Sequence, residues 1–169
     1  MEPTTAMTFA EVFNNIFLDG KVLAVLAAAI AAILPGMGSA KAVGSVGEAL
    51  DGLMSEDPDK FGKGFLLQAL PATQGIYGLI VAFMVFGQIS AVSSGIEGLY
   101  LFGACLPIAF CGYYSAIRQG RVAAAGIATI AKQPSASGKT VITAAMVELY
   151  ALLSLLISFL LVNQNPFVH

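Results

Sequence analysis

Charge is scarce in this sequence. Lysine and arginine supply 8 of its 169 residues and aspartate and glutamate 10, together 11 %, against about 25 % in an ordinary soluble domain. With 57 % hydrophobic residues and a mean hydropathy of +0.83, that shortage excludes a conventional soluble fold and marks a membrane protein. No basic cluster is present, which argues against nucleic acid as a partner. Tryptophan is absent, so the makings of an aromatic substrate pocket are thin. Cysteine occurs twice, as Cys105 and Cys111, in one apolar segment with no histidine nearby. That does not resemble a zinc site, and both are expected to be small, reduced core residues. Met1–Asp19 carries Glu2, Glu11 and Asp19 but no lysine or arginine, and so lacks the basic start of a signal peptide. The one histidine, His169, is the last residue and is assigned no chemistry.

Long apolar runs are what the chain has in abundance. Four stand out, at about Val22–Gly47, Phe65–Val92, Gly98–Ile117 (continuing as helix to about Ala131) and Thr140–Val162. The expected fold is an all-α membrane protein of four transmembrane helices arranged as two tandem helical hairpins. It divides into an N-terminal extension (1–20), a first hairpin (21–92), a second hairpin (97–163) and a C-terminal tail (164–169). Lys60 and Lys63 lie in the first loop, and Arg118, Arg121, Lys132 and Lys139 in or beside the third, while the second has only Glu97. Because lysine and arginine mark the cytoplasmic side, loops one and three are expected in the cytoplasm, with both termini outside a cell membrane.

The halves resemble each other. Ser39-Ala40, Gly44, Val46, Ala49 and Pro58 align with Ser115-Ala116, Gly120, Val122, Ala125 and Pro134. Gln74 and Glu148 then fall at nearly matching places. Spans one and three carry small residues every fourth position: Ala28, Ala32, Gly36, Ala40 and Gly44, then Gly112, Ala116, Gly120 and Ala124. Such rows let backbones approach closely in lipid. They predict two closely packed inner helices, and more small surface than one copy needs, which favours a ring. Spans two and four carry bulk, such as Phe83, Phe86, Leu152, Leu155 and Phe159, and are expected to face lipid.

Glu148 is the one acid deep inside an apolar run. An ionised group near the bilayer centre costs at least about 2.5–3.5 kcal/mol, so an ion or proton site is expected there. In span two, Leu70, Thr73, Gln74 and Tyr77 share one helix face by their i, i+3, i+4, i+7 spacing. Pro71 lacks an N–H and should loosen nearby carbonyls, including that of Leu70. Hard cations take oxygen ligands; Thr73, Gln74 and Glu148 would make such a cage, Gln119 could add an amide oxygen, and Tyr77 could donate to the carboxylate. Glu148 lies about 13 Å from Lys139 and Gln74 about 16 Å from Lys63 along their helices, so their depths match. Gln119, between Arg118 and Arg121, fits less well, because arginines snorkel to water. Each residue also has a plainer reading: Thr73 bonding its own backbone, Gln74 joining helices, Tyr77 and Gln88 at the interface, Pro71 a mere kink, and Glu148 pairing with Arg118 or Arg121.

At these residues the chain resembles the proteolipid (rotor ring) component of V-type ATPases, in the duplicated four-helix form usually designated K or c. The motifs are Gly36-Met37-Gly38-Ser39-Ala40-Lys41, Leu67-Gln68-Ala69-Leu70-Pro71-Ala72-Thr73-Gln74-Gly75-Ile76-Tyr77-Gly78, Arg118-Gln119-Gly120-Arg121-Val122-Ala123-Ala124-Ala125-Gly126 and Ala144-Ala145-Met146-Val147-Glu148. The likeness runs from about Lys21 to the end and is closest to the sodium-translocating bacterial branch. It implies sodium contacts at the Leu70 carbonyl, Thr73, Gln74, Gln119 and Glu148, with Tyr77 bonding the carboxylate. A longer acidic N-terminus and Leu149 after the glutamate depart from the family pattern. The resemblance further implies a homo-oligomeric ring in the lipid bilayer, a stator membrane subunit whose cationic side chain displaces the ion, and central stalk subunits of an ATP-driven motor. The chain has no Walker A loop and no catalytic site of its own. Gln74 in place of a second acid implies one ion per four helices. The same rotor carrying protons stays open as an alternative, as do a small four-helix cation or drug antiporter and a purely structural bundle.

Overall fold

The computed structural model describes residues 8, 9, 11, 12 and 19–167. Most of the N-terminal extension and His169 lie outside the described residues. Among the described residues, four long apolar helical stretches, each long enough to cross a membrane, make up the fold. Helix α1 is Gly20–Glu56, α2 is Phe61–Ala69, α3 is Thr73–Gln88, α4 is Gly95–Lys132 and α5 is Ser137–Asn163. Helices α2 and α3 are one span, joined through a 3-10 turn at Leu70–Ala72 where Pro71 interrupts the α pattern. Among the described residues there is no strand.

The helices overrun the apolar runs at both ends, and side-chain caps set where α1 and α4 start. The Asp19 side chain accepts from the backbone N–H groups of Lys21 and Val22 at 2.8 and 3.1 Å and starts α1. Ser93, Ser94 and Glu97 form a capping box that starts α4: the Glu97 carboxylate accepts from Ser93 N–H at 2.7 Å and from both serine hydroxyls. At 37 and 38 residues, α1 and α4 run to roughly 55 Å each, well beyond a hydrocarbon core of about 30 Å.

Helices α1 and α4 stand side by side, parallel and in register. Gly112 lies against Pro35, Gly38 against Tyr113, and Gly120 against Ala42, so repeat-related positions sit at similar levels. The span-three row expected at this contact is there, with Gly112, Ala116 and Gly120 buried. The span-one row is not. Helix α1 turns Ala24, Ala27, Ala31, Pro35, Gly38 and Ala42 inward, while Ala40 and Gly44 are exposed and added methyl groups at Gly36 and Gly44 would meet open space. Small residues surround α1 on several faces, so a row at fourth positions did not single out the packed one. Cys111 also departs from expectation: Cys105 is buried and Cys111 exposed, since six positions along a helix place them on different faces.

A substitution tests the close approach. A Cβ at Gly38 would stand 2.7 and 2.9 Å from the Tyr113 carbonyl oxygen and Cα, whereas one at Gly52 meets nothing within 4 Å. Gly38→Ala is expected to destabilise the detergent-solubilised protein by about 1–3 kcal/mol. Gly52→Ala should be neutral or stabilising by up to about 1 kcal/mol. Equal shifts in thermal midpoint would contradict this packing.

Serines repair the backbone where prolines disturb it, as buried helices require. After Pro71, the Gly75 N–H donates to Ser39 Oγ on α1 at 2.8 Å. After Pro107, the Ile108 N–H donates to Ser158 Oγ on α5 at 3.1 Å. Both ends of the bundle are tied as well. At the end carrying loop two, Gln88 Nε2 donates to the Val162 carbonyl at 2.8 Å, and Gln88 Oε1 accepts from Asn165 Nδ2 at 3.1 Å. At the other end, Lys60 Nζ donates to the Ala131 carbonyl at 3.0 Å and pairs with Asp57. Two apolar clusters fill the interior. One, centred on Ala31, Val81, Leu101 and Ile108, lies toward loop two; the other, centred on Val46, Leu50, Leu67 and Ile127, lies toward loops one and three. A polar layer separates them.

Candidate functional site

The polar layer contains Ser39, Gln74, Ser115, Gln119 and Glu148. Gln74 and Gln119 are fully buried, at 0 % exposure, and Glu148 is half-buried on α5. Burying amides in an apolar bundle is unfavourable unless every group is partnered, and here the partners form one chain. Gln74 Nε2 donates to Gln119 Oε1 at 2.5 Å and to Ser115 Oγ at 3.3 Å. Gln119 Nε2 donates to Glu148 Oε2 at 3.3 Å. The other carboxylate oxygen, Oε1, accepts from the Tyr77 hydroxyl at 2.6 Å, a length typical of a bond to a charged acceptor. Ser115 Oγ donates to the Val147 carbonyl at 3.0 Å. Among the described residues, no buried side-chain nitrogen or oxygen lacks a partner.

Three helices therefore converge on Glu148: α3 brings Tyr77 and Gln74, α4 brings Gln119 and Ser115, and α5 brings the carboxylate itself. Thr73, at the first turn of α3, supplies two more oxygens, its own and that of Leu70. Its hydroxyl donates to the Leu70 carbonyl at 2.9 Å and its Oγ1 lies 3.4 Å from Gln74 Oε1. A threonine hydroxyl has a single hydrogen, and the nearer Leu70 carbonyl takes the larger share of it. Thr73 Oγ1 and Gln74 Oε1 thus face each other as a pair of oxygens across a long, weak contact. On a shell of roughly 2.3–2.6 Å around a hard cation, ligands at right angles stand roughly 3.3–3.7 Å apart, which matches that spacing.

Each residue expected at the site lies in this layer, with differences in detail. The Leu70 carbonyl is not loosened by Pro71; it accepts from both the N–H and the hydroxyl of Thr73. Gln119 is not shallow. Arg118 and Arg121 are exposed while Gln119 is buried, because neighbours in a helix point about 100° apart. Gln119 does, however, turn its nitrogen, not its oxygen, toward Glu148. Glu148 has no ion pair among the described residues, so the pairing with Arg118 or Arg121 is not made. Gln88 lies near the helix end but also joins α3 to α5. Sequence reasoning missed Ser39 and Ser115 as part of the layer. Their one signal was their alignment in the internal repeat, flanking Gln74 and Glu148 in the fold.

Among the described residues no group of three or more histidine, cysteine, aspartate or glutamate side chains comes together. The oxygens here come from one carboxylate, two amides, hydroxyls and a backbone carbonyl. That donor set suits a hard, weakly charged cation and gives no purchase to transition metals.

Known proteins share much of this sequence. Over 143 residues the chain is 53 % identical to the V-type sodium ATPase subunit K of Enterococcus hirae, covering 85 % of this chain and 92 % of that one. It is 36 % identical to the A-type ATP synthase subunit K of Methanocaldococcus jannaschii over 144 residues, covering 85 % of this chain and 63 % of that one. The ATP synthase C-subunit family matches twice, at residues 26–85 and 102–161, once in each hairpin. With four membrane-length helices, a duplicated hairpin and one carboxylate held between them, the chain belongs to the ATP synthase C-subunit family.

Proposed function

We propose that this chain is a rotor subunit of a V-type ATPase and that it carries Na+ across the membrane, one ion per copy, bound at Glu148. The observation that carries the reading is the oxygen-lined layer itself: Glu148 fixed by Tyr77 and Gln119, beside the Thr73–Gln74 oxygen pair. A site made only to protonate a carboxyl needs no second set of oxygens. The relatives support the cargo and the machine: one is named as a sodium ATPase subunit and the other as an ATP synthase subunit.

The ligands in this reading are the Leu70 carbonyl, Thr73 Oγ1, Gln74 Oε1, Gln119 Oε1 and a Glu148 oxygen, with Tyr77 orienting the carboxylate. Loading requires two local moves. The Thr73 hydroxyl hydrogen leaves the Leu70 carbonyl, and the Gln119 amide turns over to present its oxygen. The bound cation neutralises Glu148, which lets the site pass hydrocarbon without the cost of a bare charge. Residues 21–92 and 97–163 act as paired hairpins, only the second bearing an acid. Copies assemble into a ring, for which the small-residue row of α1 at Gly36, Ala40 and Gly44, with open space beside both glycines, is suited. A cationic side chain of a stator subunit displaces each ion, and central stalk subunits grip the helix tips and turns at 49–62 and 132–138. That end lies in the cytoplasm and both termini outside, by its lysine and arginine content.

Carbodiimide labelling of Glu148 in the assembled protein tests the cargo. At fixed pH, added NaCl is expected to slow labelling at least about tenfold at saturation. Labelling that ignores sodium but follows pH would replace sodium by protons; a closed ring seen by microscopy, as opposed to a dimer, excludes an alternating-access antiporter.

A further inference from the structure

We propose that Ser115 is a positioning residue that sets the sodium affinity of the site by holding the Gln74 amide in one orientation. The inference rests on the sodium reading above. Ser115 is 5 % exposed and lies on α4 one turn before Gln119. Its hydroxyl hydrogen is committed, since Oγ donates to the Val147 carbonyl at 3.0 Å. A backbone carbonyl can only accept, so the lone pairs of Ser115 are what Gln74 meets, and Nε2 donates to them at 3.3 Å. The polarity of the whole chain follows from that one carbonyl: Ser115 gives its hydrogen to Val147, Gln74 gives hydrogens to Ser115 and Gln119, and Gln119 gives one to Glu148. Gln74 Oε1 is left facing Thr73.

The consequence concerns the loading step. For Gln119 to offer its oxygen to the ion, its amide must turn over, and its nitrogen then faces Gln74. The simplest relaxation would be for both amides to turn together, keeping their mutual hydrogen bond. That would aim the Gln74 nitrogen at the cation and remove a ligand. Ser115 opposes this turn, because a reversed Gln74 would set its oxygen against the serine lone pairs. Rotating the hydroxyl to meet it would break the bond to Val147. Ser115 therefore keeps Gln74 Oε1 on the ion side through the loaded state. Ser154 is a built-in control. It is as buried as Ser115 but donates to the Ala151 carbonyl of its own helix at 2.8 Å, outside the polar layer.

The test is sodium protection of Glu148 against carbodiimide in the assembled protein in native membrane vesicles, with NaCl as the probe, together with the pH profile of labelling without sodium. Ser115→Ala is expected to raise the half-protecting sodium concentration about tenfold, the equivalent of about 1.4 kcal/mol, and to leave the sodium-free pH profile unchanged. Ser115→Cys, close in size but a weak acceptor, should behave alike and serves if the alanine variant does not assemble. Ser115→Thr, which keeps the hydroxyl, and Ser154→Ala should stay within about twofold of the parent, less than the loss of one hydrogen bond. The proposal is overturned if the alanine and cysteine variants keep the parent's sodium dependence, if Ser154→Ala shifts it as much, or if threonine fails to restore it. Loss of sodium protection in the unmodified protein is a different result: it removes the sodium reading itself, and this inference with it.

Discussion

Glu148→Gln is expected to abolish sodium carriage by the assembled complex, lowering sodium uptake into vesicles at least about a hundredfold while leaving the ring intact. Glutamine nearly matches glutamate in shape, and its oxygen can still accept from Tyr77, so packing in the polar layer survives. The charge does not. Opposite unit charges about 4 Å apart attract by about 4 kcal/mol at an effective dielectric of 20, close to a thousandfold in binding, and an ion among ligands sits nearer than that. The neighbouring oxygens of Thr73, Gln74 and Leu70 are neutral dipoles and cannot replace the lost term. Radioactive sodium uptake driven by ATP, set beside the assembly state of the variant, is the measurement. Uptake within a few fold of the parent would end the present reading of the site.

Gln74→Leu should have the next largest effect, raising the half-protecting sodium concentration about a hundredfold, because the Gln74 oxygen facing Thr73 leaves the ligand set and a polar contact to a charged group is worth about 1.5–3 kcal/mol. Ser115 Oγ also loses the donor it has in Gln74 Nε2. Leucine fills a similar volume, so a cavity is not the cause. Unlike Glu148→Gln, this variant keeps the carboxylate, and labelling of Glu148 should persist while its sensitivity to sodium is lost. Measuring both in one titration separates ligand loss from misfolding: a variant that neither labels nor assembles would signal a structural fault, and one that labels with parental sodium dependence would remove Gln74 from the ligand set.

Much of this arrangement was readable from residue order. Four apolar runs of membrane length predicted four spanning helices, and the interval of 76 between Ser39 and Ser115, repeated between Pro58 and Pro134, predicted two alike hairpins that the structure sets side by side. Glu148 stood out because nothing else acidic lies so deep in an apolar run. Tyr77, Gln74, Thr73 and Leu70 followed from helical spacing alone. Other features carried no such signal. The inward face of α1 was hidden because alanine and glycine occur on all its sides, with no polar stripe to mark the outside. Gln119 was masked by Arg118 and Arg121, whose preference for water says where their own side chains go and nothing about the residue between them. Ser115 was silent because serine in a membrane helix usually bonds its own turn, as Ser154 does with Ala151. The direction of the amides is a property of the assembled network, and no single residue encodes it.

The lysine clasp at the far end of the bundle has a mechanical meaning. Lys60 belongs to the first hairpin and the Ala131 carbonyl to the second, and both lie near the tips of helices that overreach the hydrocarbon. Fastened there, the two tips resist being twisted against one another. A twisting load applied at that end would therefore reach the level of the carboxylate with less backlash than two unlinked hairpins would allow.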